Sequence, residues 1–384
     1  MKQVITTERI PIKLWLDDME EGALAQAKNV ANLPFAYKWI AIMPDSHQGY
    51  GMPIGGVLAS DRVIVPNAVG VDIGCGMVAV RTSLTEIEED ELKDTMRLIR
   101  MTVPTGFNHH KTQQEWRGFD YAPDIPIIQQ ELESAKYQLG TLGGGNHFIE
   151  IQKGDDNHIW LMIHSGSRNF GLKTANEYHS KAKMLCQRWK SDVTDPDLSF
   201  LPMEDKVAKE YFIAMNYAQD FAEANRALMM DRVTEALGTV MNLGSGDFEE
   251  VANIHHNFAT WENHYGKNVL VHRKGATQAS IKTIGIIPGS MGAPSFIVQG
   301  KGNPESFESC SHGAGRRMGR KQAKRTLSLE EEQAKMEGIL GKPRSVDELD
   351  EAPGAYKDIN TVMANQEDLV RVVYQLRPLA SIKG

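Results

Sequence analysis

Apolar positions along this 384-residue chain change period several times. Over 204–237, Val207, Tyr211, Ala214, Ala218, Phe221 and Asn225 recur at three- and four-residue spacing, which predicts one long helix with a single apolar stripe. Pro202 precedes it, and Gly238 is its expected stop. Shorter helical patterns cover 17–32, 86–100, 129–139 and 326–339, and Cys186 lies among helix formers over 181–190. Apolar β-type runs predict strands at 39–43, 63–65, 77–80, 159–164, 269–271 and 283–287. Gly49, Gly51, Gly55, Gly56, Gly70, Gly74 and Gly76 punctuate the early strands as tight turns. Segment 107–114, with His109 and His110, reads as a polar loop, and 140–151 as a loop entering a strand. Unusual turns are spread from 45 to 315 with no repeat, low-complexity stretch or linker between them. The expectation is one mixed α/β (α+β) domain over 1–384.

Composition narrows the class. Hydrophobic content of 41% and charged content of 24% suit a globular protein with a substantial core. The chain carries no run of 18 apolar residues and no apolar leader after Met1, so the expected location is the cytoplasm, with no membrane partner. Three cysteines are too few and too scattered for a disulfide framework. The net charge of −8 argues against general coating of nucleic acid. The cations are nevertheless concentrated, at His272–Lys274 and again at Arg316, Arg317, Arg320, Lys321, Lys324 and Arg325, which suits a polyanion held at one place.

Four polar constellations could carry chemistry. Asp72 and Cys75 share the glycine turn Gly70-Val-Asp-Ile-Gly-Cys-Gly76, which fits a metal site and fits equally an Asx turn beside an inert thiol. Gly143-Gly-Gly-Asn-His-Phe-Ile-Glu150 offers backbone amides to an anion and then His147 and Glu150. His164 ends a strand before Ser-Gly-Ser-Arg168; standing alone it is a core histidine. His255 and His256 point in different directions, so one of them at most faces a given metal, and their bland reading is a polar turn closing a helix. Together, Asp72, Cys75, His147, His164 and either His255 or His256 make a set for two metal ions, and ligand chemistry by itself favours Zn²⁺. His158, His179 and His264 lie among charges and read as solvated. Two hydroxyl- and glycine-rich loops, Pro288–Gly292 with Ser295 and the loop around His312, suit nucleotide phosphates, and Met43–Gly51 adds Asp45 and His47.

In this order the motifs resemble the RtcB family of GTP-dependent RNA-splicing ligases across nearly the whole chain. The carrying residues are Met-Pro-Asp-Ser-His-Gln-Gly-Tyr-Gly (43–51), Gly-Val-Asp-Ile-Gly-Cys-Gly (70–76), Leu-Gly-Gly-Gly-Asn-His-Phe (142–148) and His-Ser-Gly-Ser-Arg (164–168). With them stand His-His-Asn (255–257), His-Arg-Lys-Gly-Ala-Thr (272–277), Pro-Gly-Ser-Met-Gly (288–292) and Ser-His-Gly-Ala-Gly-Arg (311–316). The resemblance implies a fold peculiar to that family with a central metal-binding cleft. It implies two Mn²⁺ ions, in place of zinc, on Asp72, Cys75, His147, His164 and His256, with Cys75 bridging. It implies guanylate contacts from Asn146, His147, Phe148, Ile149, Glu150, His256, Asn257, Pro288, Gly289, Ser290, Met291, Ser295, His312, Gly313, Ala314, Gly315 and Lys383.

The implied chemistry takes GTP and RNA. His312 carries GMP, passes it to an RNA 3′-phosphate (opened first if it is a 2′,3′-cyclic phosphate), and a 5′-hydroxyl end then displaces the GMP. Triad logic assigns Asp45 to the far nitrogen of His312, and Arg168 with the basic run near Arg316 are expected on RNA phosphates. Segment 104–110 and Asn169-Phe170 depart from the common family pattern and bear on which RNA is taken. Two other readings compete: a dinuclear phosphodiesterase that opens cyclic phosphates without joining ends, and a non-catalytic RNA-binding module. Ser311-His-Gly-Ala-Gly315 speaks against the first, and the complete donor set against the second.

Overall fold

The computed structural model describes residues 1–191 and 193–384. Its architecture is mixed α/β, with two large sheets. One holds six strands in the order Gln3–Ile5, Ile12–Leu14, Ala36–Tyr50, Met52–Ser60, Lys267–Lys274 and Asn257–His264. The other holds seven, in the order Phe248–His255, Gly76–Thr82, Ile159–Ser165, Phe148–Gly154, Val370–Lys383, Ser295–Gly300 and Ile284–Ile287. The Ile12–Leu14 strand runs parallel to Ala36–Tyr50, and the other neighbours in these two sheets pair antiparallel.

The central strands of the seven-stranded sheet are apolar on both faces, as a strand covered on both sides must be. Val78, Val80, Ile149, Ile151, Leu161 and Ile163 pack under helices with Met229, Met230, Val233 and Leu237. Met77, Ala79, Trp160 and Met162 face the other way, against Ile286 and Ile297. The helix over this sheet is the predicted long one, Lys206–Met241. Asp205 starts it by accepting the Val207 N–H through its carboxylate (2.8 Å). It runs past Gly238 and stops at Asn242, which takes φ +54.

Other boundaries shift for local reasons. The pattern at 326–339 is broken into Arg320–Thr326 and Leu329–Ala334, because Leu327 is extended and Ser328 caps a new start. The helix formers around Cys186 belong to a longer helix, Arg168–Trp189. The two histidines at 255–256 close no helix. They lie where strand Phe248–His255 of one sheet passes into strand Asn257–His264 of the other. His264 is buried against Glu262 (2.7 Å) rather than solvated. No helix among the described residues is long and apolar enough to cross a membrane.

Candidate active site

The crossing of the chain between the sheets builds the site. At that point His256 N–H donates to the Cys75 carbonyl (2.8 Å), and the His256 carbonyl accepts from Ala276 (3.1 Å). The Asp72–Cys75 turn is closed by Cys75 N–H on the Asp72 carbonyl (3.1 Å) and pinned by Gly74 N–H on the Asn257 carbonyl (2.8 Å). Asn257 braces both sides, donating to the Asp72 carbonyl (3.0 Å) and accepting from Gly275 (2.8 Å). His147 immediately precedes strand Phe148–Gly154 and His164 lies on its neighbour Ile159–Ser165, in a register that sets Phe148 opposite His164.

Donor atoms from four chain segments therefore converge. Cys75 Sγ lies 3.4 Å from His147 Nε2 and 3.3 Å from His164 Nε2. His164 Nε2 lies 3.3 Å from His256 Nε2, and His147 Nε2 lies 3.1 Å from Asp72 Oδ2. The Asn146 carbonyl accepts from His164 Nδ1 (3.0 Å), which leaves the Nε2 lone pair facing the cluster. Burial, and then the neighbouring imidazoles, hold His164 and His256 well below the ordinary histidine range, so both rings are neutral at pH 7. Burial works to raise Asp72, but His147, Cys75 and the Ser167 N–H outweigh it and keep the carboxylate ionised. Burial pushes the Cys75 thiol up and Asp72 pushes it further, with Arg226 opposing. Neutral imidazoles, a carboxylate and a thiol crowded together are donors for a divalent cation, and Cys75, His147 and His164 meet the spacing for one. The Nδ1 atoms of His147 and His256 are buried with no hydrogen-bond partner among the described residues, so the polar contacts of both rings are those their Nε2 atoms make within the cluster. The donor set fits a metal.

His312 stands on the other side of His256, with ring centroids 4.8 Å apart. It follows the short strand Ser309–Ser311, which pairs with Ala276–Gln278. That strand is tied down by the buried Arg273, which donates to Ser309 Oγ (2.8 Å) and pairs with Glu262. Asp45, fully buried behind the ring, accepts through Oδ2 from His312 N–H (3.1 Å) and from Nδ1 (2.6 Å). An acceptor-only carboxylate at Nδ1 puts the ring proton there and leaves Nε2 basic. Two glycines make room. A Cβ on Gly275 would meet the His312 ring and Ile54, and one on Gly315, at φ +74, would overlap the Asp45 carbonyl.

A cavity of about 230 Å³ joins His312 to the donor cluster. Asn146, Phe148, Glu150, Asn257, Pro288–Met291, Gly313–Gly315 and Lys383 line it, as do His47, Arg316, Arg320 and Tyr356. Strand register explains part of this wall: Phe148 faces Lys383 and Glu150 faces Ser381. Three expected guanylate contacts do not line it: His147 sits in the donor cluster beside Cys75, and two others are placed elsewhere. The Ile149 side chain points to the opposite face of its strand, into the apolar layer under the helices, because alternate residues of a strand must. Ser295 is fully buried behind the wall, where its hydroxyl accepts from Gln152 (3.1 Å) and from Gly289 N–H (3.4 Å). Arg168, expected on RNA phosphate, is engaged internally, donating to Thr141 Oγ1 (2.9 Å) and the Gly106 carbonyl (2.6 Å). Much of the basic run is paired as well: Arg316 and Arg320 with Glu351, and Lys324 with Asp350.

Two residues of the long helix complete the site and were not foreseen. Asn225, read as part of an apolar stripe, accepts from Gly140 and Thr141 N–H (2.7 and 3.1 Å) and donates to Ser165 Oγ and the Gly166 carbonyl (3.2 and 3.1 Å). Arg226, fully buried, donates to the Gly74 and Ser165 carbonyls (3.0 and 3.1 Å) and lies 3.2 Å from His255 Nδ1. One guanidinium thus holds the residue beside Cys75, the residue beside His164 and the residue beside His256. Arg226→Met should lower metal affinity roughly 10–100-fold, as loss of support behind ligands does. It should also destabilise the fold by about 3–5 kcal/mol, through stranded carbonyls and the missing buried cation. A metal titration alongside a thermal melt checks both; unchanged metal affinity would remove Arg226 from this role.

Comparison with known proteins agrees with the geometry. A family profile described as tRNA-splicing ligase RtcB matches residues 26–123 and 117–384. The chain is 40% identical to the RNA-splicing ligase RtcB of Escherichia coli strain K12, over 100% of this chain and 99% of that protein. It is 33% identical to the tRNA-splicing ligase RtcB of Pyrobaculum aerophilum, over 98% and 95% of the two chains. Against the tRNA-splicing ligase RtcB of Thermococcus kodakarensis the identity is 32%, over 98% and 95%. The chain belongs to the RtcB family.

Proposed function

We propose that this chain is an RNA ligase that joins an RNA 3′-phosphate or 2′,3′-cyclic phosphate end to a 5′-hydroxyl end, using GTP through GMP carried on His312. The observation that carries this reading is the His312–Asp45 pair, with Nδ1 tied at 2.6 Å beside a cavity that also holds the metal donors. His312 Nε2 attacks the α-phosphorus of GTP; the N–P bond forms as the bond to pyrophosphate breaks. Asp45 keeps the proton on Nδ1 and faces the positive charge that the ring gains. A cyclic phosphate first takes up water at phosphorus as its P–O2′ bond breaks, which leaves a 3′-phosphate and a 2′-hydroxyl. An oxygen of the RNA 3′-phosphate then displaces the imidazole, leaving GMP on the RNA end. A 5′-hydroxyl oxygen next attacks the 3′-phosphorus, forms the phosphodiester, loses its proton to solvent and releases GMP. Asp72, Cys75, His147, His164 and His256 would hold the family's divalent ions (Mn²⁺ in this reading), which neutralise phosphate charge when bound. That residues from His47 to Lys383 line one cavity supports reading 1–384 as one domain.

Glu150 and Lys383 fit recognition of guanine. Burial lifts Glu150 to about 7, with Lys383, Gln152 and Ser381 opposing. An ionised carboxylate accepts from the two adjacent donors on the guanine edge, and a protonated one does not. Falling pH through about 7 protonates Glu150. GTP affinity should therefore drop roughly three- to tenfold from pH 8 to pH 6, and Glu150→Gln should flatten that dependence. Equal pH profiles for the two proteins would dissociate Glu150 from guanine.

The reading as a whole is tested with two RNA fragments, one ending in a 2′,3′-cyclic phosphate and one beginning with a 5′-hydroxyl, incubated with GTP and Mn²⁺. Joined product that requires GTP supports it. Opening of the cyclic phosphate with no joined product would favour a phosphodiesterase instead.

A further inference from the structure

The catalytic cavity shares Met291 and Lys383 with a second one of about 430 Å³, which opens beside Gly145 and the Lys383-Gly384 end. Arg100, Lys324, Lys342 and Arg344 line it, together with four acids, Asp347, Glu348, Asp350 and Glu351. Three of the acids are engaged. Glu351 holds Arg316 and Arg320 (both 3.2 Å), Asp350 holds Lys324 (3.7 Å), and Glu348 accepts the Arg344 backbone N–H (2.9 Å). Arg100, Lys342 and Arg344 are left with no carboxylate in ion-pair range among the described residues.

Asp347 and Glu348 make no ion pair among the described residues, yet cations outnumber acids around the passage: Arg100, Lys324, Lys342, Arg344 and Lys383 stand against four acidic side chains in the second cavity, and Arg316 and Arg320 add to them from the catalytic side. Like charges in excess repel one another. Arg100 feels this: burial and then the neighbouring Arg344 guanidinium lower its proton affinity, and no carboxylate compensates. Arg320 stands at the passage between the cavities, because a Cβ on Gly145 would overlap its guanidinium, and it lines the catalytic side. A line of cations thus runs from the catalytic cavity, past Gly145, to Arg100, Lys342 and Arg344. The ligand that relieves such a line is a chain of phosphates with one end in the catalytic cavity.

We propose that the second cavity holds the phosphodiester backbone of an RNA strand whose terminal nucleotide occupies the catalytic cavity. This rests on the RNA-joining reading, and extends it to a named path for the strand. Base identity is not read there, since cations contact phosphates and leave the sequence unread.

The test measures binding by anisotropy with fluorescent single-stranded RNA of about twelve nucleotides. One probe carries a 3′-phosphate and the other a 5′-hydroxyl, which separates the two possible sources of the strand. The proteins compared are wild type, Arg100→Ala/Arg344→Ala and Lys342→Ala. The double variant should bind at least one probe roughly tenfold more weakly, and the slope of log K against log salt should fall by about 0.7 for each phosphate that is no longer neutralised. A two-nucleotide probe should bind all proteins alike, because it ends before the second cavity. Labelling of His312 by GTP needs no RNA and should be unchanged in the variants. Absence of labelling in wild type would sink the joining reading by itself, while the binding comparison would still decide the path. Equal affinity and salt slope for both long probes across all proteins would overturn the proposal.

Discussion

Cys75→Ala is expected to abolish RNA joining and to lower metal affinity by roughly a thousandfold or more, beyond the 10–100-fold typical of losing a residue behind a ligand. Cys75 Sγ is the atom within 3.4 Å of both His147 and His164, so its removal takes the hub out of the donor set. The fold should survive, because an alanine fits the space of a buried cysteine and leaves the backbone bonds of the turn in place. Cys75→Ser is the informative companion. It keeps a donor atom but exchanges a soft thiolate for a hydroxyl, so it should hold metal between the two extremes. Direct titration with Mn²⁺, and metal content after dialysis, give the answer. Wild-type stoichiometry and affinity in Cys75→Ala would take Cys75 out of the ligand set.

Asp45→Asn should leave the protein folded with its metal affinity intact, yet slow guanylate transfer to His312 by about 10³–10⁴-fold. That is the scale seen when a carboxylate orienting a catalytic imidazole is replaced by its amide in serine proteases. An asparagine can donate its amide hydrogen to Nδ1, which moves the ring proton to Nε2 and blocks the attacking lone pair. In the native pair Oδ2 accepts from both the ring and the His312 backbone N–H, while Asp45 Oδ1 has no hydrogen-bond partner among the described residues; an asparagine that keeps its oxygen at the Oδ2 position still loses the negative charge that faces the imidazolium. Single-turnover labelling with GTP measures the step. A rate within tenfold of wild type would show that Asp45 does not set the tautomer.

The donors were legible because each interrupts an apolar run or sits in a glycine turn, where a buried polar residue has no packing excuse. Asp72, Cys75, His147 and His164 all have that signature. Residue chemistry by itself leaves the choice between His255 and His256 open, and only the family resemblance points to His256, since the choice depends on the chain changing sheets between them, a tertiary event. Arg226 was invisible for another reason: in sequence it is one of several cations on a long helix, and only its burial under Gly74 and Ser165 distinguishes it. Strand Val370–Lys383 escaped notice because Pro378 and the register shift beside it break the alternation, although its end supplies Lys383 to the cavity. The basic run misled through composition alone, since Asp350 and Glu351, far along the chain, neutralise much of it.

The central claim is that His312 Nε2 becomes bonded to phosphorus. Incubation with Mn²⁺ and GTP labelled at the α-phosphate, followed by acid and base treatment and peptide mapping, tests it directly. The expected result is an acid-labile, base-stable guanylate on the peptide containing His312, and none in His312→Ala. Equal labelling of wild type and His312→Ala, or an adduct mapped to another residue, would contradict it.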